Sequence, residues 1–258
     1  MPLHSHRPML LVLPTLLSLL ATRTTSALSQ APATAQPDST VCVSNDGWLL
    51  VGTYTRPPLP ETQRAAVLLL NRATGDRRAY DSTAAVLARH GVASLRLDLR
   101  GHGESTNRGR FVPFAPRMDT LLQGTPTDIA AGLDWLAHRP GVDSARLGVV
   151  GASYSGEFAV MAGRSGRPAR AYALLSPGSL STESIRWLDA RGTRWLFVAS
   201  RQERTQATRD VIAEVLDSAR WADVWLWEPQ SHATRLFEVV PELPTLLTAW
   251  LAARLSGS

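Results

Sequence analysis

The sequence predicts an α/β fold with a mainly parallel, doubly wound sheet of about eight strands and helices on both faces. Three observations indicate it. Apolar runs such as Ala65–Leu70 are continuous, as in strands buried on both faces, and they alternate with segments of helical spacing. Helix-stop signals, Gly91 and Pro140-Gly141, separate these segments. A length of 258 residues with 44% hydrophobic content suits one such domain.

The first half of the chain opens with a predicted antiparallel pair of strands. Val41–Val43 and Trp48–Tyr54 flank the turn Ser44–Gly47, whose Asn, Asp and Gly residues tolerate positive φ. Alternating elements follow. Apolar spacing predicts a helix over Asp81–His90, a strand over Val92–Asp98 and a helix over Thr127–His138.

The second half continues the alternation after a strand and helix around Ser153. The predicted strands are Ala171–Leu175, Arg194–Ala199 and Val224–Trp227, and the predicted helices are Thr182–Asp189, Gln206–Ala219 and a last helix over Ala233–Arg254, kinked at Pro241 and Pro244. In such sheets the active residues lie on loops at the carboxyl ends of strands. Ser153, Glu203 and His232 all fall at those ends.

The N-terminal segment has the layout of a secretory signal peptide. Met1–Ala27 contains a basic start, a thirteen-residue apolar stretch over Met9–Ala21 and a small polar end. A membrane-spanning helix needs about twenty residues, so a stable membrane anchor is not expected. We therefore predict a flexible leader over residues 28–40, a catalytic domain over residues 41–258, and a secreted or periplasmic protein.

The positive charge does not indicate a nucleic-acid partner. The basic residues are all arginine, 27 in number, and the formal net charge is +5. They are spread singly along the chain, with Arg77-Arg78 the only adjacent pair, whereas nucleic-acid binding needs a clustered basic patch. We expect a small-molecule substrate instead.

Residues 146–156, RLGVVGASYSG, have the pattern of a nucleophile elbow. Gly151, Ser153 and Ser155 occupy the GxSxG positions, with serine in place of the last glycine and Gly156 directly after it. Strand-forming residues precede the serine and helix-favouring residues follow it. This context favours a nucleophile at a strand-to-helix turn over an ordinary helix N-cap. Ser153 is the predicted nucleophile.

A serine hydroxyl needs a base and an acid that orients the base. Among six histidines, His232 alone follows the last predicted strand, in the chain order serine, acid, histidine. Glu203, after the strand that ends at Ala199, is the predicted acid. Two alternatives stay open: Glu183 as the acid, or Glu203 as a solvated charge paired with an arginine at position 201 or 204.

The remaining site predictions concern the oxyanion hole and the substrate pocket. The backbone amides of Tyr154 and Ala73 are the predicted oxyanion donors, with Arg72 as an alternative to Ala73. Phe111, Phe114 and Met118, on a predicted long loop over Glu104–Gly124, line the predicted substrate pocket, unless they only pack over the sheet. No metal and no organic cofactor is expected.

Three segments carry a family resemblance. LDLRGHGES at Leu97–Ser105, the elbow, and PQSHATRLF at Pro229–Phe237 closely resemble the α/β-hydrolase superfamily. The phrase DIAAGLDWLAHRPGVDSARLGVVGASYSG looks like its esterase and dienelactone-hydrolase-like branch. The resemblance spans about Val41–Leu255. It implies Ser153 as nucleophile, His232 as base and Glu203 as acid, while Asp98 and His102 match positions that shape a turn beside the site.

The chain departs from this family pattern at three places. Asn71-Arg72 stands where the family shows a His-Gly pair, Glu203 stands where aspartate is commoner, and Ser155 stands where the elbow ends in glycine. The segment Ser176–Arg194 is too short for a cap insertion, which predicts an open site without a large cap domain.

The predicted function is a serine hydrolase that cleaves carboxylic esters through an acyl-enzyme intermediate. Two alternatives remain. A peptidase or amidase uses the same triad, because acyl chemistry does not separate amide from ester in a sequence. A non-catalytic binding protein with the hydrolase fold is suggested by the missing His-Gly pair.

Overall fold

A computed structural model describes residues 38–58, 63–113, 115–116 and 118–256. These residues form one eight-stranded sheet of order β1-β2-β4-β3-β5-β6-β7-β8, in which β1-β2 and β2-β4 pair antiparallel and all other neighbours pair in parallel. The predicted fold class is confirmed. The strands are β1 Ser39–Asn45, β2 Trp48–Thr55, β3 Arg64–Leu70, β4 Ala93–Leu97, β5 Val142–Ala152, β6 Ala171–Leu175, β7 Trp195–Ser200 and β8 Ala222–Trp227.

Helices cover both faces of this sheet. They are α1 Asp81–Arg89, α2 Met118–Leu122, α3 Thr125–Ala137, α4 Tyr154–Ser165, α5 Thr182–Ala190, α6 Gln206–Ser218, α7 Leu236–Val239 and α8 Leu243–Leu255, with short 3-10 helices at Arg77–Tyr80 and Ala233–Arg235. The short helix α2 lies in a segment that the sequence predicted as loop. No helix in the described part of the chain has both the length and the apolar character needed to span a bilayer.

The prediction of a single last helix over Ala233–Arg254, kinked at Pro241 and Pro244, is wrong. The segment folds as a 3-10 turn, the short α7 and the separate α8, with extended backbone at Val240 (φ −131°, ψ 78°). Pro241 explains the break, because the residue before a proline is disfavoured in the helical region. Pro244 lies in the first turn of α8, where its missing N–H is not needed.

Strand β3 shows why its sequence is apolar throughout. Every residue of β3 is buried, and its side chains alternate between two cores. Ala66, Leu68 and Leu70 pack against α3 and α4, whereas the residues between them pack against α1 and α8 on the other face. The two-sided core fixes the carboxyl ends of the central strands at one edge, where the site lies.

The connection between β6 and β7 contains only α5. The expectation of no large cap domain therefore holds for this connection. The predicted signal peptide, residues 1–27, and most of the predicted leader, residues 28–40, lie outside the described residues. Strand β1 begins at Ser39, two residues before the predicted start of the first strand.

A buried ion pair joins the loop after β4 to α3. The Asp128 carboxylate is fully buried; Oδ2 accepts from Arg100 N (3.1 Å) and Nε (2.8 Å), and Oδ1 accepts from Arg100 Nη2 (2.8 Å). Removal of the carboxylate leaves a buried guanidinium without a counter-charge. We expect Asp128→Ala to lower the free energy of unfolding by about 3–5 kcal/mol, measured by urea denaturation.

The control for this prediction is Asp134→Ala on the same helix. The Asp134 side chain is 61% exposed and its ion pairs with His138 and Arg167 are long, at 3.8 and 3.6 Å. Its loss should change stability by less than about 0.5 kcal/mol. Equal denaturation midpoints for the two variants would contradict the prediction.

Candidate active site

Ser153 lies at a sharp turn between β5 and α4. Its φ of 56° and ψ of −122° are strained for a residue with a Cβ atom, as in a nucleophile elbow. The Ser153 N–H donates to Leu175 O at 2.9 Å, which fixes the turn to the end of β6. A Cβ atom on Gly151 would lie 2.8 Å from both Gly156 Cα and Ser155 O, so the turn requires glycine at position 151.

Ser155 occupies the position where the family pattern has glycine, and the structure accommodates it. Its buried Oγ accepts from Ala152 N at 2.8 Å and donates to Ala152 O at 3.0 Å. The backbone instead approaches a neighbouring segment closely at Gly156, where an added Cβ would lie 3.0 Å from Pro177 Cβ. This departure from the pattern therefore adds hydrogen bonds to the elbow and leaves its shape intact.

The structure brings the three predicted triad residues together. His232 Nε2 lies 3.0 Å from Ser153 Oγ, and His232 Nδ1 lies 2.9 Å from Glu203 Oε2. Glu203 is 4% exposed, and the His232 side chain is about one-third exposed. A carboxylate only accepts hydrogen bonds, so Nδ1 carries the proton and the Nε2 lone pair faces the serine hydroxyl.

The structure also separates Glu203 from the alternatives. Glu183 is exposed and pairs with Arg164, away from the histidine. Arg201 pairs with Glu228 at 2.9 Å, and Arg204 donates to Gln230 at 3.1 Å, so neither neutralises Glu203. Among the described residues the ion-pair partner of Glu203 is His232.

The histidine loop is anchored by a residue that the sequence analysis missed. Ser176 directly follows β6, has a φ of 42°, and its buried Oγ accepts from Ala233 N at 3.0 Å. Ala233 follows the histidine and also has a positive φ, of 52°. The position of Ser176 at the carboxyl end of a central strand is the sequence signal that could have identified it.

The predicted oxyanion donors lie on two elements. Tyr154 N is the first N–H of α4, which has no intrahelical acceptor and lies at the positive end of the helix. Ala73 lies on the loop after β3. This loop borders an open cleft of about 500 Å³, whose lining includes Ala73 but none of Ser153, Glu203 and His232. The cleft is lined by Ala73, Thr74, Gly75, Asp76, Arg78, Gly101, His102, Gly103, Glu104, Arg110, Phe111 and Pro113.

The cleft contains one of the three predicted substrate contacts. Phe111 lines it and stacks on His102, with ring centroids 4.8 Å apart and planes 19° apart; His102 stacks in turn on Tyr154 at 5.3 Å. Phe114 lies outside the described residues. Met118 begins α2, and its side chain lies outside the described part of the chain. The aromatic stack therefore links Phe111 to the residue that follows the nucleophile.

The turn beside the cleft is held by buried polar groups. The Asp98 carboxylate accepts from Arg77 N (2.7 Å) and Glu104 N (3.0 Å) and forms an ion pair with Arg77. Burial lowers the pKa of His102, whose Nδ1 lies 2.9 Å from Arg100 O. A neutral His102 therefore donates from Nδ1 to that carbonyl. The same histidine lines the cleft.

No group of three or more His, Cys, Asp and Glu residues in the described segments is arranged to hold a metal ion. The expectation that catalysis needs no metal or cofactor stays a prediction.

Solved structures share this architecture. An esterase of Pyrococcus furiosus matches with a TM-score of 0.63 and 15% identity, over 85% of this chain and 92% of its own. A dienelactone hydrolase of Anabaena variabilis matches with a TM-score of 0.57 and 18% identity, over 85% and 96% of the two chains. A carboxylesterase cloned from a metagenomic library matches with a TM-score of 0.62 and 18% identity, over 88% and 92%. At these identities the likeness shows the fold alone.

A search of the curated proteins found no match. The model of one protein family, X-Pro dipeptidyl-peptidase (S15 family), matches residues 14–250, which is most of the chain. Together with the eight-stranded sheet, this match confirms the resemblance to the α/β-hydrolase superfamily and indicates a hydrolase of that type. The chain therefore belongs to the X-Pro dipeptidyl-peptidase (S15) family of α/β-hydrolases.

Proposed function

We propose that this protein is a serine hydrolase that cleaves carboxylic esters through an acyl-enzyme intermediate. The observation that carries the proposal is the hydrogen-bonded series from Ser153 Oγ to His232 Nε2 (3.0 Å) and from His232 Nδ1 to Glu203 Oε2 (2.9 Å). It supplies a nucleophile, a base and an orienting carboxylate in the geometry that acyl transfer requires.

The first half of the reaction forms the acyl-enzyme. Ser153 Oγ attacks the carbonyl carbon of the ester while His232 Nε2 takes the hydroxyl proton. The oxyanion that forms accepts hydrogen bonds from the backbone N–H groups of Tyr154 and Ala73. His232 then donates its proton to the leaving alcohol, and the Glu203 carboxylate stabilises the imidazolium that exists between the two transfers.

The second half hydrolyses the acyl-enzyme. Water replaces the alcohol beside His232, which takes a proton from it as the water oxygen attacks the acyl carbon. Collapse of the tetrahedral intermediate breaks the bond to Ser153 Oγ and releases a carboxylic acid, while the proton returns to the serine. The exposed part of the His232 ring gives water access to this step.

The charges in the cleft favour a neutral ester over a dipeptide with a free N-terminus. An ammonium group would require an unpaired carboxylate near the site. Both carboxylates that line the cleft are paired: Asp76 with Arg78 at 3.2 Å, and Glu104 with Arg77 and Arg78. Arg110, which also lines the cleft, has no carboxylate partner among the described residues. The lining holds two carboxylates and two arginines, so it offers no excess negative charge to a cationic substrate.

The family match favours a second candidate, a peptidase that releases dipeptides ending in proline. A peptidase needs the same triad, so its geometry does not separate the two reactions. The pairing of both cleft carboxylates with arginine is the observation against the peptidase.

Paired substrates test the proposal. We expect turnover of short-chain p-nitrophenyl esters, whereas release of p-nitroaniline from Ala-Pro-p-nitroanilide should stay at the level of the Ser153→Ala variant. Anilide hydrolysis that N-acetylation of the substrate abolishes would establish the peptidase instead. Failure of the folded protein to react with a fluorophosphonate would establish the non-catalytic alternative, because only an activated serine reacts.

A further inference from the structure

Asn71, at the end of β3, is fully buried and uses its whole side chain. Its Oδ1 accepts from Leu99 N at 3.0 Å. Its two Nδ2 hydrogens face three acceptors: Arg72 O at 3.0 Å and, over longer distances of 3.4 and 3.5 Å, Gly75 O and Tyr154 Oη. One amide therefore connects the loop after β3, the loop after β4 and the residue that follows the nucleophile.

The contacts of Asn71 surround Ala73, the predicted oxyanion donor of this loop. The carbonyl groups of Arg72 and Gly75, on either side of Ala73, both accept from Asn71 Nδ2. The loop closes on itself through a bond from Gly75 N to Arg72 O at 3.1 Å. Arg72 Nε donates a hydrogen bond of 3.2 Å to the Oγ1 atom of Thr234, which lies in the loop that follows His232. The orientation of the Ala73 peptide is thus set by its neighbours' carbonyls.

The other end of this network lies on the second oxyanion donor. Tyr154 contributes its N–H to the predicted oxyanion hole, and its Oη lies 3.5 Å from Asn71 Nδ2 and 3.4 Å from His102 Nδ1. Burial raises the pKa of the Tyr154 hydroxyl well above its usual value, so the hydroxyl stays protonated. The stack on His102 holds the ring in place.

We propose that Asn71 is a positioning residue that holds the two oxyanion donors, Ala73 N and Tyr154 N, at the separation that the tetrahedral intermediate requires. The inference rests on the proposed function. Donors fixed in advance stabilise the developing oxyanion without reorganisation, and a displacement of about 1 Å is enough to lower the rate strongly. In this role the side-chain amide of Asn71 holds the loop after β3, at the position where the family pattern has a His-Gly pair.

Asn71→Asp tests the inference. The carboxylate keeps the acceptor for Leu99 N–H and loses both donors, so the loop carbonyls and Tyr154 Oη lose their partner. We expect kcat per reactive serine to fall about 10–100-fold with KM changed less than about threefold. The inhibition constant of a trifluoromethyl ketone, whose adduct places an oxyanion in the hole, should rise by a similar factor. Fluorophosphonate titration counts the reactive serines, so unfolded protein does not contribute.

Asn107→Asp is the matched control. Asn107 makes the same pair of contacts outside the site: Oδ1 accepts from Leu49 N and Nδ2 donates to Gly47 O, both at 3.0 Å. Its kcat per reactive serine should equal that of the wild type. N71D with a wild-type kcat and inhibition constant would overturn the inference while the esterase proposal stands. A wild-type protein that neither labels nor turns over ester would overturn both.

Tyr154→Phe provides the second variant, since it removes only the hydroxyl link. We expect a kcat reduction of about 3–10-fold at constant KM, and a double variant N71D/Y154F that loses less than the product of the two single effects. If N71D does not fold, Y154F decides: an unchanged kcat overturns the inference. Single effects that multiply would also overturn it, because they would show that the two residues act independently.

Discussion

Replacement of Ser153 by alanine should lower kcat for a p-nitrophenyl ester by about 10⁴–10⁶-fold. The variant removes the nucleophile while the oxyanion donors and the cleft remain, so the residual rate comes from binding and oxyanion stabilisation alone. The strained backbone at Ser153 also has a consequence for stability, because alanine carries the same Cβ and gains no relief at a φ of 56°. The thermal midpoint should therefore stay close to that of the wild type.

Ser165→Ala is the matched control for this result. Ser165 is exposed at the last position of α4, the helix that Ser153 precedes, and lies outside the site. Its kcat and its fluorophosphonate labelling should equal those of the wild type, whereas the Ser153 variant should not label. Labelling of Ser153→Ala at the wild-type rate would contradict the prediction, since it would place the reactive serine elsewhere.

The parts of the fold that the sequence predicted correctly have strong local causes. The apolar run of β3 follows from burial on both faces, and the elbow follows from the steric demand at Gly151. The proximity of Ser153, His232 and Glu203 was predictable because chain order and strand ends restrict which histidine and which carboxylate can reach the serine. His232 Nε2 lies 3.0 Å from Ser153 Oγ and His232 Nδ1 lies 2.9 Å from Glu203 Oε2, so the residues selected in that way are neighbours in the structure.

Features that depend on contacts between distant segments were not predictable in the same way. The sequence showed Asn71 only as a departure from the His-Gly pattern, because its partners Leu99 and Tyr154 lie 28 and 83 residues away. The break between α7 and α8 was predicted as a kink. At Pro241 the chain leaves the helix, and Leu236 and Leu243 on either side of the break are both fully buried. A proline is compatible with either a kink or a break, and the burial of both leucines favours the break.

Glu203→Gln should lower kcat by about 10³–10⁴-fold with little change in KM. Glutamine has the shape of glutamate but carries no charge, so it neither fixes the Nδ1–H tautomer of His232 nor stabilises the imidazolium. The effect should be large because Glu203 is 4% exposed: water does not replace the lost charge. Its other oxygen, Oε1, has no hydrogen-bond partner among the described residues, so its contact with His232 dominates its interactions.

Glu183→Gln separates this role from a general effect of removing a glutamate. Glu183 was the alternative acid, and its side chain is 74% exposed beside Arg164. Its exposed ion pair contributes about 1 kcal/mol or less to stability, and Glu183 lies away from His232. The variant should therefore keep the wild-type kcat. A loss of activity in Glu183→Gln together with a near-wild-type Glu203→Gln would assign the acid to Glu183. That outcome would require His232 to leave the position in which Nδ1 lies 2.9 Å from Glu203, so the pair of variants tests the triad as well as the residue.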